Sequence, residues 1–356
     1  MATQEIKKKL NCSKEYDFLS TNPKLGQNII LLTVGGSHAY GTNTENSDLD
    51  IRGCALNSER EILLGKDFEQ VIDRSTDTVI YSFKKLISLL TNANPNVIEM
   101  LGCKPEHYFY LHPVGQELID NAHLFLSKKA IQSFGNYAAQ QLRRLENKAN
   151  RYLGQTENEK HILDSIENAS YEFKRRYPEM PEDAIKLFVA ASNNEELDSE
   201  IFMNINLTHY PLRDYVGLVS EMQSIVRSYN KLGKRNETAM SHDKLGKHSM
   251  HLIRLYMMGL DILEKEQIIT YREKEHDLLM DIRNGKYLDS NSQPTSAFFD
   301  ILNEYEKRFE YAKKNTALPD EPDYEAIDEF VSDINGRIIR RNFTPILSEN
   351  SAMILR

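Results

Sequence analysis

An α+β fold, in which a small mixed sheet precedes a mainly helical domain, is predicted for this chain of 356 residues by three observations. Short apolar runs rich in β-branched residues crowd into the first hundred residues, where turn residues separate them. Beyond about residue 113, apolar residues recur every three or four positions, as in helices that bury one face. The length suits two domains of about 100 to 200 residues each. The sequence therefore predicts a sheet domain over residues 1–120 and a helical domain over residues 121–356, with the boundary near residues 112–126.

The sheet domain contains four predicted strands. The first, NIILLTV at residues 28–34, is short, apolar and followed by glycines, as expected of a buried strand. The second, SDLDIRGCAL, alternates so that Asp48 and Asp50 lie on one face. The third and fourth are FEQVID and TDTVIYSF, and two helices follow in SFKKLISLLTNA and NPNVIEMLGC. Asn94 and Pro95 suit the cap and the first turn of the second helix.

The helical domain is predicted from residue 127 onward, where SKKAIQSFGNYAAQQLRRLENKANRYLG has apolar residues at helical spacing. Further helices are predicted around residues 157–177, 182–193, 210–233, 243–266, 271–284, 295–314 and 322–341. Two polar stretches, ASNNEELDSE and NTALPDEPDY, are predicted loops.

The composition indicates a folded protein of the cytosol. Hydrophobic residues make up 40% of the chain, which is enough to build a sizeable core in each domain. The N-terminus lacks the apolar run of a secretory signal, and no stretch approaches the roughly 18 apolar residues of a membrane span. Cys12, Cys54 and Cys103 form no CxxC pair, so neither disulfides nor a cysteine zinc site is indicated.

The charge argues against a protein that coats nucleic acid through the electrostatics of the whole molecule. The net charge is −9 and the isoelectric point is about 5.7. Residues 227–254 nevertheless carry seven Lys and Arg residues against two acidic ones. This segment could hold phosphates, although a solvated helical face is the commoner origin of such a cluster.

The stretch GGSHAYGTNTENSDLD, residues 35–50, follows the first predicted strand. Gly35 and Gly36 allow a sharp turn and a close approach to a ligand, and Ser37 can donate a hydrogen bond to a phosphate oxygen. In a strand, the carboxylates of Asp48 and Asp50 stand about 7 Å apart along one edge, a spacing suited to two hard cations. Two Mg²⁺ ions roughly 3.5 to 4 Å apart can clamp the attacking and leaving oxygens of a phosphoryl transfer. A solvated turn is the structural alternative for these aspartates.

The segment VGGSHAYGTNTENSDLDIRG resembles the signature of polymerase-β-like nucleotidyltransferases, in which a glycine pair or Gly-Ser precedes Asp-hydrophobic-Asp by about ten residues. Three further segments, NPNVIEML, GKHSMHLIRLYMMGLDIL and IRNGKY, look like the RNA-repair-associated subgroup found in bacteria and phages. The resemblance implies a nucleotidyltransferase domain at residues 1–120 and a helical domain that completes the nucleotide and acceptor cleft. It also implies a third metal-binding carboxylate on a later strand. Asp77 is the best match, and the nearby Asp73 is the alternative.

The helix predicted at residues 243–266 supplies further candidate site residues. At 100° per residue, Lys247, His251 and Arg254 fall within about 60° of one another. Directed at a triphosphate, these residues would neutralise its charge and stabilise the leaving pyrophosphate. A solvent-facing basic stripe is the alternative. His38 and Tyr40, inside the glycine loop, either contact the nucleotide or shape the loop.

These residues together predict a Mg²⁺-dependent nucleotidyltransferase that consumes a nucleoside triphosphate. Asp48, Asp50 and Asp77 would bind two metal ions, and Asp77 would help to lower the pKa of the acceptor hydroxyl. The resemblance points to an RNA 3′ end, such as a damaged tRNA, as the acceptor. A protein side chain or a small molecule as the acceptor stays open, as does a non-catalytic module that binds nucleotide or RNA. The sequence does not determine the base, the acceptor or the oligomeric state.

Overall fold

One five-stranded mixed sheet forms the N-terminal part of the computed structural model. The structure describes residues 3–149, 160, 162–168, 171, 180–181, 184–191, 199–230, 242–289 and 293–340. The strands are β1 (Ile29–Val34), β2 (Ile51–Ala55), β3 (Gln70–Asp73), β4 (Thr78–Ser82) and β5 (Tyr108–Leu111). They lie in the order β3-β4-β2-β1-β5, with β2 parallel to β4 and the other neighbours antiparallel. All six residues of β1 are buried, because β1 has a neighbour on each edge and an almost wholly apolar sequence.

The four predicted strands are confirmed, with two differences. Strand β5, with the sequence YFYL, is missed by the sequence pattern because it is only four residues long and has no apolar-polar alternation. Strand β2 begins at Ile51, so Asp48 and Asp50 precede the strand instead of lying within it. The ladder between β1 and β2 ends there because the chain turns away at Gly35, whose N–H donates to the Asp50 carbonyl at 2.9 Å.

Short helices connect the strands. They are α1 (Thr3–Cys12), α2 (Phe18–Thr21), α3 (Gly36–Tyr40), α4 (Glu59–Leu64), α5 (Phe83–Thr91), α6 (Pro95–Ile98) and α7 (Pro113–Asp120). The helix predicted in NPNVIEMLGC is divided into α6 and a 3₁₀ turn over Glu99–Gly102. Asn94 caps α6 as predicted, because its side chain accepts a hydrogen bond from the N–H of Asn96.

The second part is mainly helical, as predicted. Its helices are α8 (Lys129–Ala149), α9 (162–168), α10 (Leu212–Asn230), α11 (His242–Lys265), α12 (His276–Arg283), α13 (Ser296–Asn315) and α14 (Tyr324–Ile339). Helix α11 is central and packs against α8, α12 and α13. Its buried residues Leu255 and Met258 share one apolar core with sheet residues such as Ile29. The α+β class is therefore confirmed, whereas the division into residues 1–120 and 121–356 stays a prediction.

The helix predicted at residues 182–193 is wrong. Residues Ile185–Ala191 form strand β6, which pairs antiparallel with β7 (Ser199–Ile205). The sequence IKLFVAA has strong β propensity, and pairing with a second strand outweighs the helical spacing of its apolar residues. The rest of the loop predicted between them, and the parts of the predicted helix 157–177 beyond α9, lie outside the described residues. Among the helices that the structure describes, none is both long enough and apolar enough to span a membrane.

Candidate active site

The glycine turn is docked directly onto the aspartate segment. Gly36 has a φ of +55°, and a Cβ on this residue would lie 2.0 Å from Oδ2 of Asp50. Both the backbone angle and the lack of space therefore require glycine at this position. Together with the hydrogen bond from Gly35 to Asp50, this contact fixes the position of Asp50 relative to the start of α3.

Asp50 and Asp77 are brought together at one end of the sheet. Ile51 and Thr78 are paired in the parallel strands β2 and β4, so the residues just before them are neighbours. The two carboxyl groups are hydrogen-bonded to each other, and burial, followed by this contact, raises the pKa of Asp50. Two carboxylates this close repel each other unless a proton or a cation lies between them. Carboxylate oxygens are the ligands that Mg²⁺ prefers, so the pair fits a hard divalent cation.

Arg52 supplies positive charge beside this pair. Its Nη1 donates to the carbonyl of Asp77 at 2.6 Å, which anchors the guanidinium. Its Nη2 lies 3.4 Å from Oδ1 of Asp77 and 3.9 Å from Oδ1 of Asp50. The sequence analysis did not select Arg52, although the residue belongs to the segment SDLDIRG. Its position two residues after Asp50, on a strand with period two, was the available signal.

Asp48, the third predicted carboxylate, is exposed and is not part of this pair. Within the described ranges, no group of three or more His, Cys, Asp and Glu side chains is arranged to hold a metal ion. The structure thus brings two of the three predicted ligands together and leaves Asp48 nearby along the chain.

Asp73 stabilises the turn that carries Asp77. Its Oδ1 accepts hydrogen bonds from the Ser75 hydroxyl at 2.5 Å and from the N–H and hydroxyl of Thr76, both at 2.9 Å. The hydrogen bond from Ser75 and those from Thr76 lower the pKa of Asp73. Asp77 itself has a φ of +47°, a conformation that Asp and Asn tolerate better than most residues. Because the donors of the turn occupy Asp73, the geometry favours Asp77 as the carboxylate that faces Asp50.

A second charged cluster lies beneath the glycine loop. Glu99, which is 8% exposed, accepts hydrogen bonds from the N–H of Gly36 and the hydroxyl of Tyr40. The Tyr40 hydroxyl also lies 3.6 Å from the sulfur of Met258, but a carboxylate is the stronger acceptor. The guanidinium carbon of Arg254 lies 3.6 Å from the centre of the Tyr40 ring. Burial raises the pKa of Glu99, and the charge of Arg254 offsets part of this effect.

The predicted basic stripe is therefore divided between two environments. Arg254 is 6% exposed and stacks on Tyr40 beneath the loop, where its Nη2 also lies 2.8 Å from Nδ1 of His251. Lys247, two turns earlier on α11, is exposed and near enough to Asp50 to offset part of the pKa increase that burial causes. Of the two predicted phosphate-binding cations, Lys247 interacts electrostatically with Asp50, whereas Arg254 is buried against Tyr40.

The remaining predicted residues of the loop, Ser37 and His38, are each 8% exposed. Burial lowers the pKa of His38, and its side chain is hydrogen-bonded to the backbone of Ser47. His38 therefore contributes to the shape of the loop, one of its two predicted roles.

Residues more than two hundred positions away hold the same loop in place. Gly41 has a φ of +75°, and a Cβ there would lie 2.5 Å from the ring of Tyr271. The N–H of Arg272 donates to the Tyr40 carbonyl at 3.2 Å. No local pattern in the sequence marked Tyr271 or Arg272 as contacts of this loop, whereas Glu99 belongs to the segment NPNVIEML that carries the family resemblance.

The strand, the glycine turn and the paired carboxyl groups at adjacent strand ends are consistent with the resemblance to polymerase-β-like nucleotidyltransferases. Residues 4–161 match the family model described as RlaP, RNA repair pathway DNA polymerase beta family. This match confirms the resemblance to the RNA-repair-associated group and supports nucleotidyltransferase activity in general.

A relative of similar length gives a second comparison. The chain is 23% identical over 308 residues to an uncharacterized 38.9 kDa protein from the nrdC-mobD intergenic region of Enterobacteria phage T4. The alignment covers 79% of this chain and 89% of the phage protein. No solved structure matches the chain.

Proposed function

We propose that this protein transfers a nucleoside monophosphate from a nucleoside triphosphate to the hydroxyl of an RNA end, with divalent metal ions held by Asp48, Asp50 and Asp77. The observation that carries the proposal is the contact between the Asp50 and Asp77 carboxyl groups beside Gly36. Mg²⁺ fits these oxygen ligands, and two ions are expected by analogy with the family.

The reaction forms one oxygen–phosphorus bond and breaks another. The acceptor oxygen attacks the α-phosphorus, the bond from that phosphorus to the bridging oxygen breaks, and pyrophosphate leaves. The hydroxyl proton is released to water or to a carboxylate of the site. Bound metal ions would lower the pKa of the hydroxyl and neutralise charge on the triphosphate.

The chain's own cations assist with the negative charge. Lys247 is exposed and interacts electrostatically with Asp50, and Arg52 lies beside both Asp50 and Asp77. Both are suited to contact phosphate oxygens. Ser37 would donate to the triphosphate. Arg254 acts indirectly, by holding Tyr40 and Glu99 beneath the loop.

The direct test is a labelling assay with purified protein, Mg²⁺, each of the four α-labelled ribonucleoside triphosphates and a panel of RNA ends that includes shortened and nicked tRNA. Label on RNA is expected with the wild type and not with the matched variant Asp50→Asn. Label on the protein or on a small molecule would identify a different acceptor. Nucleotide binding without any transfer would indicate that the protein is a non-catalytic nucleotide-binding module.

A further inference from the structure

The loop between the glycine turn and the paired aspartates is fastened by a residue of a distant helix. This loop covers residues 42–47 and leads directly into Asp48 and Asp50. Within the loop, the N–H of Thr44 donates to the Ser47 hydroxyl at 2.8 Å, and the N–H of Ser47 donates to the Thr44 carbonyl at 3.1 Å. These bonds shape the turn, and the hydrogen bond between His38 and the Ser47 backbone ties its end to α3.

Arg283 connects this loop to α12. It is the last residue of α12, belongs to the segment IRNGKY and is 3% exposed. Its Nη1 donates to the carbonyl of Thr42, and its Nη2 lies 3.1 Å from the Ser47 hydroxyl and 3.4 Å from the Thr44 hydroxyl. One guanidinium thus contacts the beginning, the middle and the end of the loop. A planar group with several fixed donors suits this task better than an ammonium group.

The main chain of Arg283 is itself fixed by α11. A Cβ on Gly246 would lie 2.1 Å from the Arg283 carbonyl oxygen, so the two helices touch backbone to backbone. The next residue of α11 is Lys247, whose positive charge interacts with Asp50. The contact between α11 and α12 at Gly246 therefore determines the positions of both Arg283 and Lys247.

We propose that Arg283 is a positioning residue for the metal-binding aspartates, and that it acts by holding residues 42–47 against α12. The proposal rests on the proposed function, because it assumes that Asp48 and Asp50 bind metal. Small displacements of a ligand set weaken metal binding considerably, and the residues that orient such ligands typically contribute 10- to 100-fold in affinity.

The chain offers a matched control for a general loss of stability. Arg272 is also a buried arginine, at 2% exposure, and its side chain contacts Asp261 and the Ile269 carbonyl instead of residues 42–47. Its one bond to the glycine loop, at the Tyr40 carbonyl, comes from the backbone N–H, which a side-chain substitution keeps. Arg283→Met and Arg272→Met each remove a buried guanidinium. A merely structural role predicts that they behave alike.

The experiment measures thermal melts and the affinity of the nucleotide-free protein for Mn²⁺ by electron paramagnetic resonance. Both variants are expected to melt at a lower temperature. Arg283→Met should bind Mn²⁺ at least about tenfold more weakly than the wild type, whereas Arg272→Met should stay within about twofold. Arg283→Lys, which keeps the charge but not the fork of donors, should fall between them. The Mn²⁺ concentration for half-maximal transfer should follow the same order.

A variant on the loop covers the case in which Arg283→Met does not fold. Ser47→Ala with Thr44→Val removes both hydroxyl acceptors at a partly exposed site and should also weaken Mn²⁺ binding, by about threefold or more. Unchanged Mn²⁺ affinity in this variant, or equal affinity in Arg283→Met and Arg272→Met, would overturn the inference. If Asp50→Asn bound Mn²⁺ as tightly as the wild type does, the proposed metal site itself would be wrong.

Discussion

Two charged clusters lie on opposite sides of Gly36, and they differ in exposure and in partners. The upper cluster contains Asp50, Asp77 and Arg52, and the side chain of Asp77 is 59% exposed. The lower cluster contains Glu99, Tyr40 and Arg254, each less than 9% exposed.

The difference between the two clusters shows that one side of the loop is suited to binding and the other to supporting the loop. In the upper cluster, two acids lie beside one arginine, and a divalent cation can take the place of the proton between the two carboxyl groups. In the lower cluster, Glu99 interacts electrostatically with Arg254 and accepts hydrogen bonds from Gly36 and Tyr40. A buried charge without such partners would be strongly destabilising. We therefore expect changes in the upper cluster to remove activity and changes in the lower one to remove stability first.

The largest effect is expected for Asp50→Asn. A neutral amide of the same shape is a poor Mg²⁺ ligand, so transfer should fall by at least about 1,000-fold. The melting temperature should stay the same or rise, because burial already disfavours the charged form of Asp50. The measurement is turnover beside a thermal melt. Retained turnover in a folded variant would show that the upper cluster does not bind a catalytic metal ion.

The opposite pattern is expected for Glu99→Met. This change removes the buried acid that interacts electrostatically with Arg254 and accepts hydrogen bonds from Gly36 and Tyr40, and it should lower the free energy of unfolding by about 1 to 3 kcal/mol. The double variant Glu99→Met with Arg254→Met removes both charges and should recover part of that loss. Denaturant unfolding of the single and double variants tests the pair. Additive losses in the double variant would mean that the two residues do not neutralise each other.

Gly36→Ala tests the boundary between the clusters. The side chain would meet Oδ2 of Asp50, and the left-handed backbone would add about 1 to 2 kcal/mol of strain. Displacing a ligand by about 1 Å can lower the rate roughly 100-fold. Gly65→Ala is the control, since Gly65 also has a positive φ but a Cβ there would meet nothing within 4 Å. Equal loss of turnover in both variants would assign the effect to backbone strain alone.

Asp73→Ala and Asp77→Asn separate the turn from the site. Loss of the hydrogen bonds to Asp73 should lower the stability by about 1 kcal/mol and the turnover by roughly three- to tenfold. Asp77→Asn should nearly abolish turnover and spare much of the triphosphate binding, because Asn tolerates the left-handed backbone but is a weak ligand. If the two phenotypes were exchanged, Asp73 would be the third carboxylate.

The smallest effect is expected for Lys247→Ala. An exposed ion pair contributes about 0.2 to 1 kcal/mol, so the affinity for triphosphate should fall by no more than about fivefold. Lys265 at the end of the same helix pairs with Asp261 at 2.7 Å, and Lys265→Ala should leave the affinity unchanged. Titration with a non-hydrolysable triphosphate compares the two variants. Equal affinities would mean that Lys247 does not contact the nucleotide.

The sequence predicted the features that local chemistry determines. Gly36 could be selected because a tight turn after a buried strand needs a left-handed backbone, and the structure has a φ of +55° there. The strand that follows Asp77 could be found from its β-branched residues, and its parallel pairing with β2 brings Asp77 to Asp50. The prediction of a helix at residues 182–193 was wrong for the converse reason. Strand β6 forms there because its pairing with β7 outweighs the local pattern.

The surroundings of the predicted cations follow from the tertiary structure and not from the sequence pattern. Helical spacing places Lys247 and Arg254 on one face of α11, but it does not say what lies opposite each turn of that face. The fold brings Lys247 within electrostatic reach of Asp50 and places the ring of Tyr40 against Arg254. Arg283 reaches the loop at residues 42–47 only because α12 packs against α11 at Gly246. A sequence pattern fixes the direction of a side chain relative to its own helix or strand, whereas its charge partner depends on contacts between residues far apart in the chain.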